Sequence, residues 1–257
     1  MKRIVLAATA SLVLASAAHS ADLGVQRVAV PAAIIAQSYD WTGFYIGAHA
    51  GYGWGRSSYG FNTNGHYNHL PGDRFSHSTG GFVGGGQLGY NWQSGNFVFG
   101  LEGSLTWSDV RRANVISPFF PTSDTFTSSV GWFGTVTPRI GFAASNWLLY
   151  AKGGLAFGQV RTRIQDTNDF TAASSTRLGW TVGLGAEYAI NQNWSVGLEA
   201  NYYDFGSLRV NQESSLLVGG GPAGVFSDHN VKTTMWSALA RVNYRFSTGG
   251  GAVSARY

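Results

Sequence analysis

Six segments of the chain carry two aromatic residues ten positions apart: Phe44/Trp54, Phe82/Trp92, Phe97/Trp107, Trp132/Phe142, Trp147/Phe157 and Trp236/Phe246. Between them small or apolar residues alternate with polar ones. Ten is even, so in a β-strand both rings of a pair face the same way. Ten strand residues rise roughly 33 Å, which a tilt of about 40° turns into about 25 Å along a barrel axis. That is the height of the apolar band between the aromatic girdles of an outer-membrane barrel. The pattern predicts strands cut to the thickness of a membrane, with rings at both interfaces.

Composition supports this. The chain has 257 residues, with 36 Gly, 9 Trp, 16 Phe, 12 Tyr and no Cys, and only 12% are charged. Mean hydropathy is −0.04, and no apolar run reaches the roughly 18 residues of a membrane helix. Alternation in a membrane barrel averages hydropathy in this way. A soluble β-sandwich accounts less well for one fixed aromatic spacing. Net charge is +4 with scattered cations, so no nucleic-acid partner is expected. The lack of Cys excludes disulfides and thiolate metal sites.

The first residues read as a secretory signal: a charged Met1-Lys2-Arg3, an apolar stretch from Ile4 to Ala17, and small residues up to Ser20. As a membrane anchor the stretch is too short. The expected organisation is a cleaved signal over 1–20, a periplasmic lead-in over 21–39, a barrel over 40–246 and a flexible tail over 247–257.

Within 40–246 the alternation marks eight strands, forming an all-β, up-and-down antiparallel barrel. They lie near 41–55, 80–93, 97–107, 128–143, 147–157, 177–190, 194–202 and 234–246. Three connections are short turns. Four are long, over 56–78, 109–127, 161–175 and 206–232, and are expected outside the cell, the short turns in the periplasm. Pro138 falls on the outward face of the fourth strand and predicts a bulge or kink.

The opposite parity carries the strand charges: Glu102, Arg139, Lys152, Glu187, Glu199, Arg241 and Arg245. Facing lipid at mid-membrane, a charge costs about 2–4 kcal/mol. Inside an eight-strand barrel, where side chains fill the interior, such charges can pair. Glu102/Arg139 and Glu199/Arg241 are candidate neighbours on adjacent strands. The expectation is a nearly neutral internal network, the alternative a charged eyelet that selects ions.

Three stretches carry a family resemblance: Trp41-Thr42-Gly43-Phe44-Tyr45-Ile46-Gly47, the run from Gly84 to Trp92, and Trp147-Leu148-Leu149-Tyr150-Ala151-Lys152-Gly153-Gly154-Leu155-Ala156. They resemble the RopB-type major outer-membrane proteins of α-proteobacteria, a family that includes haemin-binding relatives. The resemblance spans roughly 39–246. It implies an eight-strand barrel distantly similar to the OmpA transmembrane domain, located in the outer membrane and exposed at the surface. Val242-Asn243-Tyr244-Arg245-Phe246 resembles the terminal signal read by the barrel-assembly machinery, with Tyr244 and Phe246 as its aromatic residues. In the family that Phe is usually last, whereas here a tail ending in Tyr257 follows.

His66, His69 and His77, with Tyr59 and Tyr67, fall in the first long connection, and imidazole and phenolate are haem-iron ligands. Their spacing is not diagnostic, so haem binding is an alternative rather than an assigned cofactor. No metal site is expected. His49 points inward and could act as a base, but no nucleophile elbow accompanies it and no catalytic residues are assigned. The Gly clusters lack the following helix a phosphate cradle needs. The expected role is a non-enzymatic, structural outer-membrane barrel displaying surface loops. Porin-like diffusion of small solutes and surface capture of haemin or host molecules are the alternatives. Expected partners are outer-membrane lipid, lipopolysaccharide and the assembly machinery.

Overall fold

A computed structural model describes residues 39–62, 72–116, 125–165, 170–213 and 226–246. The export signal, most of the lead-in, the tail, His66 and His69 lie outside the described residues. The eight strands are β1 Gly43–Phe61, β2 Arg74–Ser94, β3 Phe97–Ile116, β4 Thr125–Ala144, β5 Trp147–Gln165, β6 Phe170–Ala189, β7 Trp194–Glu213 and β8 Phe226–Arg245. Each pairs antiparallel with the next and β8 pairs with β1, so the sheet closes into a barrel. Closure leaves no strand edge with unpaired backbone, which a membrane demands.

Parity sorts the faces. All twelve rings of the ten-residue pairs lie on the outside; Phe82, for example, is 76% exposed. Leu88, Leu101, Ile140, Leu149, Leu184 and Leu198 stand outward between the girdles. So large an apolar surface facing water would drive association. Facing lipid, it is the band that holds the barrel in the membrane.

The strands outrun the expected band. β1 has 19 residues and β2 has 21, about 50 Å along the axis at the usual tilt. Much of what the sequence suggests as long loops is strand. The pairing Arg56↔Ser78 through Gly60↔Arg74 continues past Trp54. The mouth thus satisfies its backbone donors and acceptors, which a loop there would need water or side chains to do. The alternation also persists: Ser57 and Tyr59 face inward, and Tyr59, Phe61 and Val231 form a small apolar cluster at this end. The external connections shrink to 62–73, 117–124, 166–169 and 214–225.

The expected bulge at Pro138 is elsewhere. Pairing of β4 with β5 lapses at Thr137 and Pro138 yet resumes in the same register at Arg139↔Lys152. The proline's missing N–H therefore costs a local gap without a slip. The register shifts between Val130 and Phe133, where the extra residue lets both face the lumen. Other register shifts fall on β3, between Trp107 and Val110 and between Arg112 and Val115, and on β7 between Asp204 and Ser207, the last turned by Gly206 at φ 70°.

The periplasmic turns share one device. Asn96, Asn146 and Asn193 each donate through Nδ2 to a carbonyl at the end of the next hairpin: Ala143 (3.0 Å), Ala189 (3.1 Å) and Arg245 (3.0 Å). An outward ring follows each Asn, so the turns and the inner girdle are set together. Ser145, in the β4–β5 turn, has φ 53°, a left-handed geometry costly for any side chain. Ser145→Gly is expected to raise stability by up to about 1 kcal/mol, read as a higher denaturation midpoint at unchanged slope.

Candidate functional site: the charged barrel interior

Small residues on the inward parity leave room for long polar side chains at mid-height, and the structure brings Glu102, Arg139, Lys152, Glu187, Glu199 and Arg241 together there. All six are buried. Lys152 Nζ lies 3.0 Å from Glu102 on β3 and 2.7 Å from Glu199 on β7, bridging the lumen. Arg241 reaches the same two carboxylates with its two terminal nitrogens. Arg139 Nη1 is 3.1 Å from Glu187 and 3.6 Å from Glu102. Three carboxylates meet three cations. The candidate neighbours Glu102/Arg139 and Glu199/Arg241 are in contact, but the bonds across the lumen outnumber them.

Neutral groups complete the shell, and the strand charges alone did not reveal them. Tyr45 donates to Glu102 Oε2 (2.7 Å) and Tyr150 to Glu199 Oε2 (2.6 Å). Asn243 Nδ2 donates to Glu187 at 3.1 Å, and Arg139 Nε donates to Asn91 at 2.9 Å. The Arg139 guanidinium also lies 4.7 Å from the centre of the Tyr45 ring and 5.0 Å from that of Tyr150. His49, inward as expected, contacts Gln87 at 2.7 Å and Thr106 at 2.9 Å. Arg245 instead sits at the periplasmic rim, bonded to the carbonyls of Thr42 and Gln192 and to Tyr39.

The two halves of the barrel repeat one arrangement. Tyr45 on β1 pairs with Gly89 on β2, which pairs with Glu102 on β3; Tyr150, Gly185 and Glu199 do the same on β5, β6 and β7. In each half an arginine follows on the next strand, Arg139 opposite Gly100 and Arg241 opposite Gly197. The glycine lets the tyrosine ring lie flat across the strand and carry its hydroxyl to the carboxylate. A Cβ at Gly89 or Gly185 would run into that ring.

Apolar layers lie on both sides of the charges. Toward the outside Val83, Val110, Phe133, Tyr203, Phe205 and Met235 fill the lumen. Toward the periplasm Trp41, Val98, Leu148 and Ala189 do so, with Tyr39, at the end of the expected lead-in, edge to face on Trp41 at 4.7 Å.

His77 is not in a loop. It lies on β2, 8% exposed, its ring 5.7 Å from that of Tyr59 and 5.8 Å from that of Phe75. It packs as part of the external mouth.

A closed antiparallel barrel whose exterior is apolar between two aromatic girdles, with the charges at that height turned inward, is a transmembrane barrel of an outer membrane. The comparisons agree, and the chain belongs to the family described as outer membrane protein beta-barrel domain, which matches residues 6–246. It is 37% identical to the 31 kDa outer-membrane immunogenic protein of Brucella melitensis, over 84% of this chain and 93% of the relative. It is 34% identical to a 22 kDa outer membrane protein of Rhizobium leguminosarum bv. viciae, over 68% of this chain and 69% of the relative. Among solved structures it is similar to Neisserial surface protein A at 14% identity, TM-score 0.39, over 80% of this chain and 98% of that one.

Proposed function

We propose that the protein is a structural barrel whose lumen is closed to solutes and which presents its external connections at the cell surface. The observation that carries this reading is the mutually paired set of Glu102, Arg139, Lys152, Glu187, Glu199 and Arg241 between two apolar layers. A conducting eyelet keeps its charges in water so that an ion can exchange one partner for another. Here an ion would have to displace buried pairs and pass Phe133, Phe205 and Met235. The relatives' names call them immunogenic, which fits surface display.

Two further roles accompany this reading. Residues 1–20 act as the export signal. Val242–Phe246 is the signal for the assembly machinery: Tyr244 and Phe246 lie edge to face at 5.1 Å on the outer surface, and Phe246 N donates to Phe44 O at 2.8 Å across the closing seam. The deciding measurement is planar-bilayer conductance of the folded protein, with heat-modifiable gel migration confirming folding. No steps above the lipid background are expected. Reproducible unitary steps would move the function to passive diffusion and make the six charges pore residues.

A further inference from the structure

Above the outer girdle the lipid-facing side of β8, β1 and β2 changes character. Beyond Trp54 the outward residues of β1 are Arg56, Ser58 and Gly60. Lys232 on β8 stands opposite Ser58, and Arg74 on β2 stands opposite Gly60. The β1 residues between these long side chains are small, and a Cβ at Gly60 would meet nothing within 4 Å. The result is an outward-facing groove of about 540 Å³, with Ser58, Ser76 and Asn230 offering hydroxyls and an amide along its walls. Ser58 lies four residues past Trp54, roughly 10 Å along the axis. Phospholipid headgroups add only about 6 Å on each side of the hydrocarbon core, so Ser58 stands just outside that layer, at the level of a bulkier saccharide headgroup.

The groove is lined by Arg74 and Lys232, with Arg56 just outside its membrane-side end, and this region carries a surplus of positive charge. Lys232 has Asp204 at 3.3 Å but keeps 54% of its side chain exposed. Among the described residues neither Arg56 nor Arg74 has a carboxylate at ion-pair distance, and Asp73 stands at the outer end. On the neighbouring strand β3, by contrast, Arg111 is answered by Asp109 at 3.2 Å. Cations on a surface that meets headgroups need anions from the lipid, and arginine grips phosphate with two parallel hydrogen bonds.

We propose that this groove holds the phosphorylated saccharide headgroup of lipopolysaccharide, the glycolipid of the outer leaflet. A phosphate lies among Arg56, Arg74 and Lys232, the sugar hydroxyls meet Ser58, Ser76 and Asn230, and the acyl chains run down over Trp54 and Trp236. The inference rests on the barrel standing in the outer membrane and is independent of whether its lumen conducts.

The test titrates folded full-length protein in detergent with bisphosphorylated lipid A and counts bound lipid by native mass spectrometry. Each of Arg56→Gln, Arg74→Gln and Lys232→Gln is expected to weaken binding about fivefold, and the triple variant about 100-fold. Dephosphorylated lipid A should bind wild type as weakly as lipid A binds the triple variant. Arg161→Gln, on β5 away from the groove, should change affinity less than twofold. Heat-modifiable migration reports folding, and if the triple variant does not fold, the three single variants carry the test. Equal binding of lipid A by wild type and the groove variants, or equal binding of the dephosphorylated lipid, overturns the proposal. Displacement by soluble glucosamine 1-phosphate as effective as by lipid A would reassign the groove to a free sugar phosphate. Conductance recorded on the same samples reads the closed lumen separately.

Discussion

Replacing Arg241 with Met is expected to destabilise the folded barrel by about 3–5 kcal/mol, the usual cost of removing one partner from a buried ion pair. Arg241 touches Glu102 and Glu199 at once and donates to Tyr150 Oη at 2.9 Å. Met roughly keeps the volume but leaves three carboxylates facing two cations. Lys152 still reaches both glutamates, so the cost comes from the uncompensated charge more than from an empty contact. The measurement is denaturant unfolding of the barrel in detergent, followed by tryptophan emission and gel migration. Adding Glu199→Gln restores neutrality and keeps an acceptor for Tyr150, so the double variant should recover about half of the loss. Strict additivity of the two single effects would sink the coupled network, because contacting charges are not expected to add.

The same contacts explain what could be read from the chain and what could not. Eight strands, their lipid faces and the charged inner parity follow from alternation alone, because a membrane penalises an outward charge at every strand. Where the penalty stops, so does the signal. Beyond Trp54 the run Arg56-Ser57-Ser58-Tyr59-Gly60 has the composition of a loop, and only the partner strands at Ser78–Arg74 and Thr234–Asn230 reveal it as a ladder. His77 suffers the same error: a histidine among serines suggests a loop, while the structure packs it inward beside Tyr59. In the site, adjacent-strand reasoning reaches Glu102/Arg139 and Glu199/Arg241. It does not reach Lys152, whose partners on β3 and β7 are not its sheet neighbours and meet it only across the closed lumen. Tyr45 and Tyr150 were hidden for a related reason: a ring bonds a carboxylate two strands away only if register puts a glycine between them.

That glycine gives the second large effect. Gly185→Val is expected to cost about 2.5–6 kcal/mol, combining overpacking of about 1–3 with the loss of a hydrogen bond to a charged group of about 1.5–3. The Tyr150 ring crosses Gly185 to put its hydroxyl 2.6 Å from Glu199, and an added Cβ would enter the ring itself. Two ways of relaxing are open, and neither is cheap. If the ring moves, Glu199 loses the donor and Arg241 loses its contact with the hydroxyl. If the strand moves, the ladder Tyr150↔Gly185↔Glu199 must widen in a closed barrel, where displacement at one seam is passed to the next. The cause can be isolated in a Tyr150→Ala background, where the space above Gly185 is vacant. There Gly185→Val should cost less than 1.5 kcal/mol, although Tyr150→Ala itself is destabilising. An undiminished cost in that background would place the damage in the strand backbone and remove the ring-over-glycine account. The matching change in the other half, Gly89→Val beneath Tyr45, should be destabilising by a similar amount, because the same ring, glycine and carboxylate are repeated there.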